Sequence, residues 1–268
     1  MFVRSPNINV MIKAAEKAGR ALVRDFGEVE QLQVSRKGPA DFVSTADKKA
    51  EDLIRRELEK ARPEFGFLLE EGGSVEGEDS QSRWIVDPLD GTTNFLHGLP
   101  HFAISIALEE RGEITAGVIY DPVKDEMFWA EKGKGAFVND RRMRVSARTR
   151  LSESIFATGI PFLGRDTENE GHSVFLRRLE KVMEKTAGIR RFGAASLDLA
   201  YVAAGRYDGF WERGLAAWDV AAGVLMVKEA GGFVSDAQGR SYNFQRKDLV
   251  VANEKIHKSL LDLLRSAR

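Results

Sequence analysis

A block of strand-like segments in the first half of the chain most constrains what this protein can fold into. The apolar and β-branched runs cover residues 65–69, 84–86, 102–108, 114–120, 126–130 and 136–138. Short turn signals separate them, which is typical of consecutive strands. The segment therefore predicts sheet structure rather than a helical bundle.

Helical patterns lie on both sides of this block. Before it, apolar spacing predicts a helix over 8–26 that ends at Gly27, and a second that begins near Ser44 or Thr45 and ends before Pro63. After Leu151, predicted strands at 155–158, 189–192, 207–211, 233–234 and 249–251 alternate with predicted helices at 174–183, 197–203, 218–230 and up to about Leu264. This order predicts an α/β (α+β) protein with stacked layers of sheet and helix.

The length of 268 residues allows one large domain with a sizeable core. We expect a single unit over 1–268, made of two intimate lobes at about 1–150 and 151–268. The acidic, glycine-rich stretch "EEGGSVEGEDSQS" (70–82) is predicted to be a mobile surface loop.

Composition points to a small-molecule partner. Acidic and basic residues number 41 and 40, so no overall charge recruits nucleic acid or an anionic membrane. The chain has no cysteine, which excludes disulfides and thiolate chemistry and fits a reducing compartment. Charges interrupt the apolar pattern of the first 20 residues, which therefore match neither a signal peptide nor a membrane span. We expect a cytoplasmic protein.

The stretch "WIVDPLDGTTNF" (84–95) carries the first candidate chemistry, because Asp87 and Asp90 follow an apolar run. Two carboxylates about 4 Å apart repel by roughly 4 kcal/mol at an effective dielectric of about 20, so a cation or a proton is needed between them. Oxygen ligands suit a hard ion such as Mg²⁺. The alternative is that both aspartates only form Asx turns around Pro88.

Gly91, Thr92 and Thr93 follow these aspartates directly. A Gly-Thr turn can point successive N–H groups at an anion, so a metal pair and this turn would hold one phosphate from two sides. The alternative is an ordinary turn.

Further acids lie elsewhere in the chain. Glu70 and Glu71 follow an apolar run and could reach the same site, or could belong to a solvated loop. Asp41 and Asp47 bracket the start of the second helix, where "STAD" also matches a helix cap. Asp219 lies in the first turn of a helix, a position that the helix dipole favours regardless of function. The P-loop, HExxH and GxSxG motifs are absent, and metal-assisted phosphoryl transfer to water needs none of them.

Together these residues resemble the inositol monophosphatase family, within the larger group that includes fructose-1,6-bisphosphatases. "WIVDPLDGTTNF" looks like the first family signature and "WDVAAGVLMVKEAGG" like the second, and "DFVSTAD" and the "EE" pair precede them in the expected order. The resemblance implies a layered αβαβα sandwich, usually a homodimer. It also implies Mg²⁺-dependent, Li⁺-inhibited hydrolysis of a phosphate monoester.

The resemblance assigns the metal ligands residue by residue. Glu70, Asp87 and the backbone carbonyl of Leu89 match the ligands of a first ion. Asp87, Asp90 and Asp219 match those of a second, and a third, weaker ion would rely on Glu70 and waters. It thus implies two to three Mg²⁺ ions.

Thr92 and Asp47 look like the pair that orients the attacking water, so that Asp47, Glu70 and Thr92 form the implied catalytic set. The N–H groups of Gly91 and Thr92 match the phosphate-binding positions. Glu212 and the backbone of Ala195 match contacts to substrate hydroxyls.

Asp90 and Asp219 would lie beside the leaving alkoxide, and no covalent intermediate is implied. The chain departs from the family pattern at two places. Leu69 stands where many relatives have Gly, and "GAAS" from Gly193 replaces the commoner Gly-Thr-Ala-Ala or Gly-Ser-Ala-Ala.

The leading hypothesis is an inositol 1-phosphate phosphatase that acts on a phosphorylated polyol. The same chemistry on fructose 1,6-bisphosphate, histidinol phosphate or 3′-phosphoadenosine 5′-phosphate is the first alternative, although Thr93-Asn94 after "DGT" favours inositol phosphate. The second alternative is a non-catalytic module that binds RNA or the transcription machinery. The balanced charge and the complete acid set favour an enzyme.

Overall fold

A computed structural model describes residues 4–28, 34–38, 41–161, 171–246 and 248–267, with the backbone alone for 34–38 and 41–43. The helices are α1 Pro6–Phe26, α2 Thr45–Ala61, α3 Thr92–Leu96, α4 Gly171–Met183, α5 Ala195–Ala203, α6 Ala217–Glu229 and α7 Glu254–Ser266. The strands are β1 Val34–Gly38, β2 Asp41–Ser44, β3 Phe65–Leu69, β4 Gly73–Val75, β5 Asp79–Asp90, β6 Ala103–Glu110, β7 Glu113–Asp121, β8 Glu126–Glu131, β9 Gly135–Val138, β10 Arg141–Arg142, β11 Ile155–Thr158, β12 Gly188–Arg190, β13 Gly209–Arg213, β14 Phe233–Ser235 and β15 Asp248–Ala252.

The predicted strand block forms one sheet. Its eight strands run in the order β10-β9-β8-β7-β6-β5-β3-β4, with β3 parallel to β5 and the other neighbours antiparallel. Strands β5 to β10 follow the chain order: α3 lies in the connection from β5 to β6, and short turns join the later strands, as antiparallel neighbours allow. Among the described residues, β1 and β2 form a separate two-stranded pair.

A second sheet of five strands holds the later part of the chain, in the order β12-β11-β13-β15-β14. Strand β11 is parallel to both β12 and β13, whereas β15 is antiparallel to β13 and β14. The predicted alternation of strands and helices after Leu151 is confirmed.

Helices cover both faces of both sheets. One core joins α1 and α2 to the outer face of the eight-stranded sheet, where Met11, Ile54 and Trp84 are buried. A second core joins α5 and α6 to the inner faces of both sheets, and a third joins α4 and α7 to the outer face of the five-stranded sheet. The predicted αβαβα sandwich is therefore confirmed.

The predicted loop over 70–82 is wrong. Gly73–Val75 forms β4, which pairs with β3, and β5 already begins at Asp79. Charged and glycine residues resemble a loop in sequence, but on an edge strand such as β4 they remain exposed and compatible with pairing.

The predicted boundary near residue 150 falls between the last strand of the eight-stranded sheet and the first strand of the five-stranded sheet, and the division into two lobes stays a prediction.

In the part of the chain that the structure describes, no helix has the length and apolar character needed to cross a membrane.

Candidate active site

A bulge in β5 shapes the segment that carries the two signature aspartates. Asp87 pairs with Ser105 and Asp90 with Ala103, so β5 has one residue more than β6 between these pairs. Asp87 Oδ1 accepts a hydrogen bond from the N–H of Leu89 at 2.9 Å, which closes an Asx turn across Pro88. The Asx turn expected as an alternative is thus present, and it orients the first aspartate.

Gly91 connects this bulge to the short helix α3. Its φ of 95° lies in the left-handed region, and a Cβ there would lie 3.1 Å from the backbone oxygen of His101. Because a side chain here would be strained and crowded, glycine is needed where the chain turns from β5 directly into α3 at Thr92.

The side chain of Thr92 joins the bulge to α2. Its hydroxyl lies 3.0 Å from Asp47 Oδ1 and 3.0 Å from the carbonyl oxygen of Leu89, and its single proton serves one acceptor at a time. Asp47 Oδ2 accepts from the N–H and hydroxyl of Ser44 at 2.8 and 2.6 Å. Asp47 therefore caps α2 through one oxygen and contacts Thr92 through the other, so the capping interpretation is confirmed and its role toward a water stays a prediction.

The predicted acids meet around Asp87. Asp87 is 2% exposed. Its burial is the largest cause, and the negative charges of Glu70, Asp90 and Asp219 are further causes, of a pKa well above the ordinary value. Glu70 also lies close enough for the two carboxyl groups to share a hydrogen bond when one of them is protonated, which raises the pKa of Asp87 further. The fold thus brings together carboxylates from three places: the residue after β3, the end of β5 and the first turn of α6.

Backbone and hydroxyl donors orient two of these acids. Asp90 Oδ2 accepts from the N–H and hydroxyl of Ser196 at 2.7 and 2.5 Å, at the start of α5. Asp219 Oδ2 accepts from the N–H of Ala216 at 2.7 Å and caps α6. Burial raises the pKa of Asp90 to about 6, and the bonds from Ser196 oppose that rise. The sequence prediction missed Ser196, although its place in "GAAS" at a helix start was a signal for a capping role.

Glu212 and Ala195 lie beside these acids. Burial, with contributions from Asp219 and Asp90, raises the pKa of Glu212 to about 8. Ala195 is the first residue of α5 and its N–H also faces Asp90. All the predicted site residues therefore fall within one region of the fold.

Asp198 is a buried acid that the sequence prediction missed. It is 1% exposed, and its Oδ1 has no hydrogen-bond partner in the described part of the chain. Burial and the charges of Glu212 and Asp90 raise its pKa well above the ordinary value. A lone aspartate inside an apolar helix gave no sequence signal for this position.

The donor chemistry of this region fits a hard divalent cation. The carboxylates of Glu70, Asp87, Asp90 and Asp219 and the carbonyl of Leu89 are oxygen donors, and their mutual repulsion favours a positive charge among them. Over the described residues, no three acidic, histidine or cysteine side chains are already arranged to hold a metal ion. The acids are electrostatic neighbours of Asp87.

Comparison with known proteins agrees with this geometry. The model of the inositol monophosphatase family matches residues 4–268. This chain belongs to that family. The predicted class, a phosphoric monoester hydrolase, is confirmed, and the family is one of metal-dependent phosphatases.

Individual relatives extend over nearly the whole chain. An inositol-1-monophosphatase of Mesorhizobium japonicum is 60% identical over 97% of this chain and 96% of its own length. A Nus factor SuhB of Pseudomonas aeruginosa is 46% identical over 96% of this chain and 94% of its own length. The crystal structure of the extragenic suppressor protein suhB from Bartonella henselae has 61% identity and a TM-score of 0.94, covering 97% of this chain and 99% of that one.

Proposed function

We propose that this protein hydrolyses inositol 1-phosphate to inositol and phosphate in a Mg²⁺-dependent reaction without a covalent intermediate. The observation that carries the proposal is the electrostatic contact of Asp87 with Glu70, Asp90 and Asp219. Three relatives named inositol-1-monophosphatase, at 60%, 58% and 56% identity, support the substrate.

The acids would hold two ions. Glu70, Asp87 and the carbonyl of Leu89 would bind the first, and Asp87, Asp90 and Asp219 the second. Bound Mg²⁺ would lower the pKa of a coordinated water and stabilise charge on the phosphate oxygens. A third ion near Glu70 belongs to the same proposal.

Thr92 and Asp47 would orient the attacking water. The Thr92 hydroxyl donates to Asp47 Oδ1, so its lone pairs remain available to a water proton. The N–H groups of Gly91 and Thr92, at the start of α3, would hold the phosphate oxygens.

The other side of the site would recognise the polyol. Glu212 and the backbone of Ala195 would contact substrate hydroxyls, with Asp90 and Asp219 nearest the leaving oxygen. A carboxyl group with a pKa of about 8 can donate as well as accept a hydrogen bond at neutral pH, which suits hydroxyl recognition.

A substrate panel tests the proposal. We would measure kcat/KM with Mg²⁺ for inositol 1-phosphate, fructose 1,6-bisphosphate, histidinol phosphate and 3′-phosphoadenosine 5′-phosphate. The highest value is expected for inositol 1-phosphate, and EDTA should abolish turnover. Sustained turnover in EDTA, or a higher value for another substrate, would contradict the metal or the substrate assignment respectively.

A homodimer is part of the proposal. Leu99, Val123 and Phe192 are 53%, 39% and 45% exposed. Their loops adjoin, since the rings of His101 and Phe192 lie 5.0 Å apart and Lys124 Nζ lies 3.3 Å from the Pro100 carbonyl. Such an apolar patch fits a subunit interface. Sedimentation of the Phe192→Glu variant should show a monomer where the parent protein is a dimer.

A second candidate function is binding of RNA or the transcription machinery. The relatives named Nus factor SuhB motivate it, as does the stretch 141–150, which has five exposed arginines and no acid. Arg148 and Arg150 face Asp208 and Glu153, which offsets part of this charge. Binding of RNA in low salt by a protein that hydrolyses no monoester at any Mg²⁺ concentration would favour this function over catalysis.

A further inference from the structure

Gly159 and Glu212 lie side by side where two parallel strands end. Thr158 of β11 pairs with Trp211 of β13, and the Thr158 hydroxyl donates to the Trp211 carbonyl at 2.7 Å. Gly159 directly follows β11, and Glu212 is the next residue of β13. The register therefore places this glycine against the acid that faces the substrate side of the site.

The carboxylate of Glu212 fills the space that a side chain at Gly159 would need. A Cβ built on Gly159 would lie 1.8 Å from Oε1, 1.9 Å from Cδ and 2.3 Å from Oε2 of Glu212. The backbone of Gly159 is not in the left-handed region, so its conformation does not require glycine. Space for the carboxylate is the remaining physical reason for a glycine here.

Packing, rather than hydrogen bonding, holds the Glu212 carboxylate in place. Among the described residues, no hydrogen bond reaches its carboxylate, whereas Asp47, Asp90 and Asp219 each accept bonds from backbone N–H groups. Its neighbours by charge are the acids Asp219 and Asp90, which repel it, and Arg191, which attracts it. A steric contact on one side therefore has a large effect on where the carboxylate lies.

We propose that Gly159 is a positioning residue that determines specificity for hydroxyl-bearing phosphate monoesters. It acts through Glu212, because the absence of a side chain at position 159 leaves space for the Glu212 carboxylate beside the substrate. The inference rests on the proposed role of Glu212 in polyol recognition. A methyl group at position 159 displaces only the end of a flexible side chain, so the fold tolerates Gly159→Ala while recognition is lost.

The test compares two substrates across a set of variants. The ratio of kcat/KM for inositol 1-phosphate to kcat/KM for 4-nitrophenyl phosphate, which has no alcohol hydroxyls, is measured with Mg²⁺. We expect Gly159→Ala to lower this ratio about 10- to 100-fold, the effect of leaving a substrate hydroxyl without its buried hydrogen-bond partner, and chiefly through KM for inositol 1-phosphate. Gly27→Ala, at a glycine where a Cβ meets only ordinary contacts, should leave the ratio unchanged.

Double variants separate action through Glu212 from a general effect. Adding Gly159→Ala to Glu212→Ala should lower the ratio no further, and Glu212→Asp should restore part of the loss in Gly159→Ala because a shorter acid frees the space. An equal loss for both substrates, a further loss in the Glu212→Ala background, or failure of Gly159→Ala to fold would overturn the inference.

The same experiment keeps the two proposals apart. If the panel selects another hydroxyl-bearing monoester, that substrate replaces inositol 1-phosphate in the ratio, and only the proposed substrate has failed. If Glu212→Ala keeps the parent ratio, the recognition role of Glu212 is wrong and the inference about Gly159 is wrong with it.

Discussion

The two ends of the candidate site are held in place by different forces. At the phosphate end, which comprises Asp47, Asp87, Asp90 and Thr92, each acid accepts hydrogen bonds from backbone N–H groups. At the hydroxyl end, which comprises Gly159, Asp198 and Glu212, neither acid accepts a hydrogen bond from any described residue. The first end is fixed by directional bonds and the second by packing.

This difference also separates the charge states of the two ends. Burial raises the pKa of both Asp90 and Glu212, but only Asp90 has donors that oppose the rise, and the values are about 6 and about 8. At neutral pH, Asp90 is thus mostly an anion suited to a cation. Glu212 is mostly protonated and suited to exchange hydrogen bonds with hydroxyls. In the proposed reaction, directional bonds would serve the chemistry and packing would serve selectivity.

The largest expected effect comes from removing a charge at the phosphate end. Asp90→Asn should lower kcat/KM more than about 100-fold, which is the upper range for the loss of a residue that only supports a metal ligand. Asp79→Asn, on the first residue of the same strand, is the control and should have little effect. Steady-state kinetics with saturating Mg²⁺ measure both, and an unimpaired Asp90→Asn enzyme would remove Asp90 from the metal site.

Removing the hydroxyl of Thr92 tests the other half of the phosphate end. Thr92→Val should lower kcat about 100-fold, because the group that orients the water is lost while the shape is kept. Thr93→Val is the matched control, since Thr93 is exposed and adjacent. Equal kcat values for the two variants would show that Thr92 has only a structural role.

Ser196→Ala removes the side-chain hydrogen bond to Asp90 and so moves the phosphate end toward the condition of the hydroxyl end. Loss of this donor should reduce Mg²⁺ affinity about 10-fold. Isothermal titration calorimetry measures this directly, with Ser154→Ala, a buried serine that bonds to the Arg150 carbonyl, as the control. Unchanged affinity would mean that the Ser196 N–H suffices to hold the carboxylate.

The smallest effect is expected on stability at the hydroxyl end. The pKa of Glu212 is about 8 in the folded protein and 4.5 in an unfolded chain, so the folded state binds more protons between these values. The contribution of Glu212 to stability is therefore present below about pH 4.5 and is lost as pH rises toward 8. In EDTA, the Tm of the parent protein should fall more steeply over this range than the Tm of Glu212→Gln. Parallel curves would contradict the raised pKa.

Predictions from sequence succeeded where the signal was local. Periodicity predicted the start of α2 at Ser44 or Thr45 and the whole of β3 and β11, because side-chain burial repeats within each element. It failed at β4, where glycine and charge on an edge strand resemble a loop. Gly91 was predictable as part of a turn because a positive φ is a local requirement.

Two signatures and their spacing sufficed to name the acids and the family, since these residues are recognised by type and order along the chain. The sequence alone did not show that Ser196 holds Asp90 from 106 positions away. Nor did it show that Asp198 is buried without a partner, or that Gly159 leaves room for Glu212. Such contacts arise when β11, β13 and α5 pack together, because a distance between side chains on separate elements depends on strand register and helix packing. No local pattern of residues encodes either.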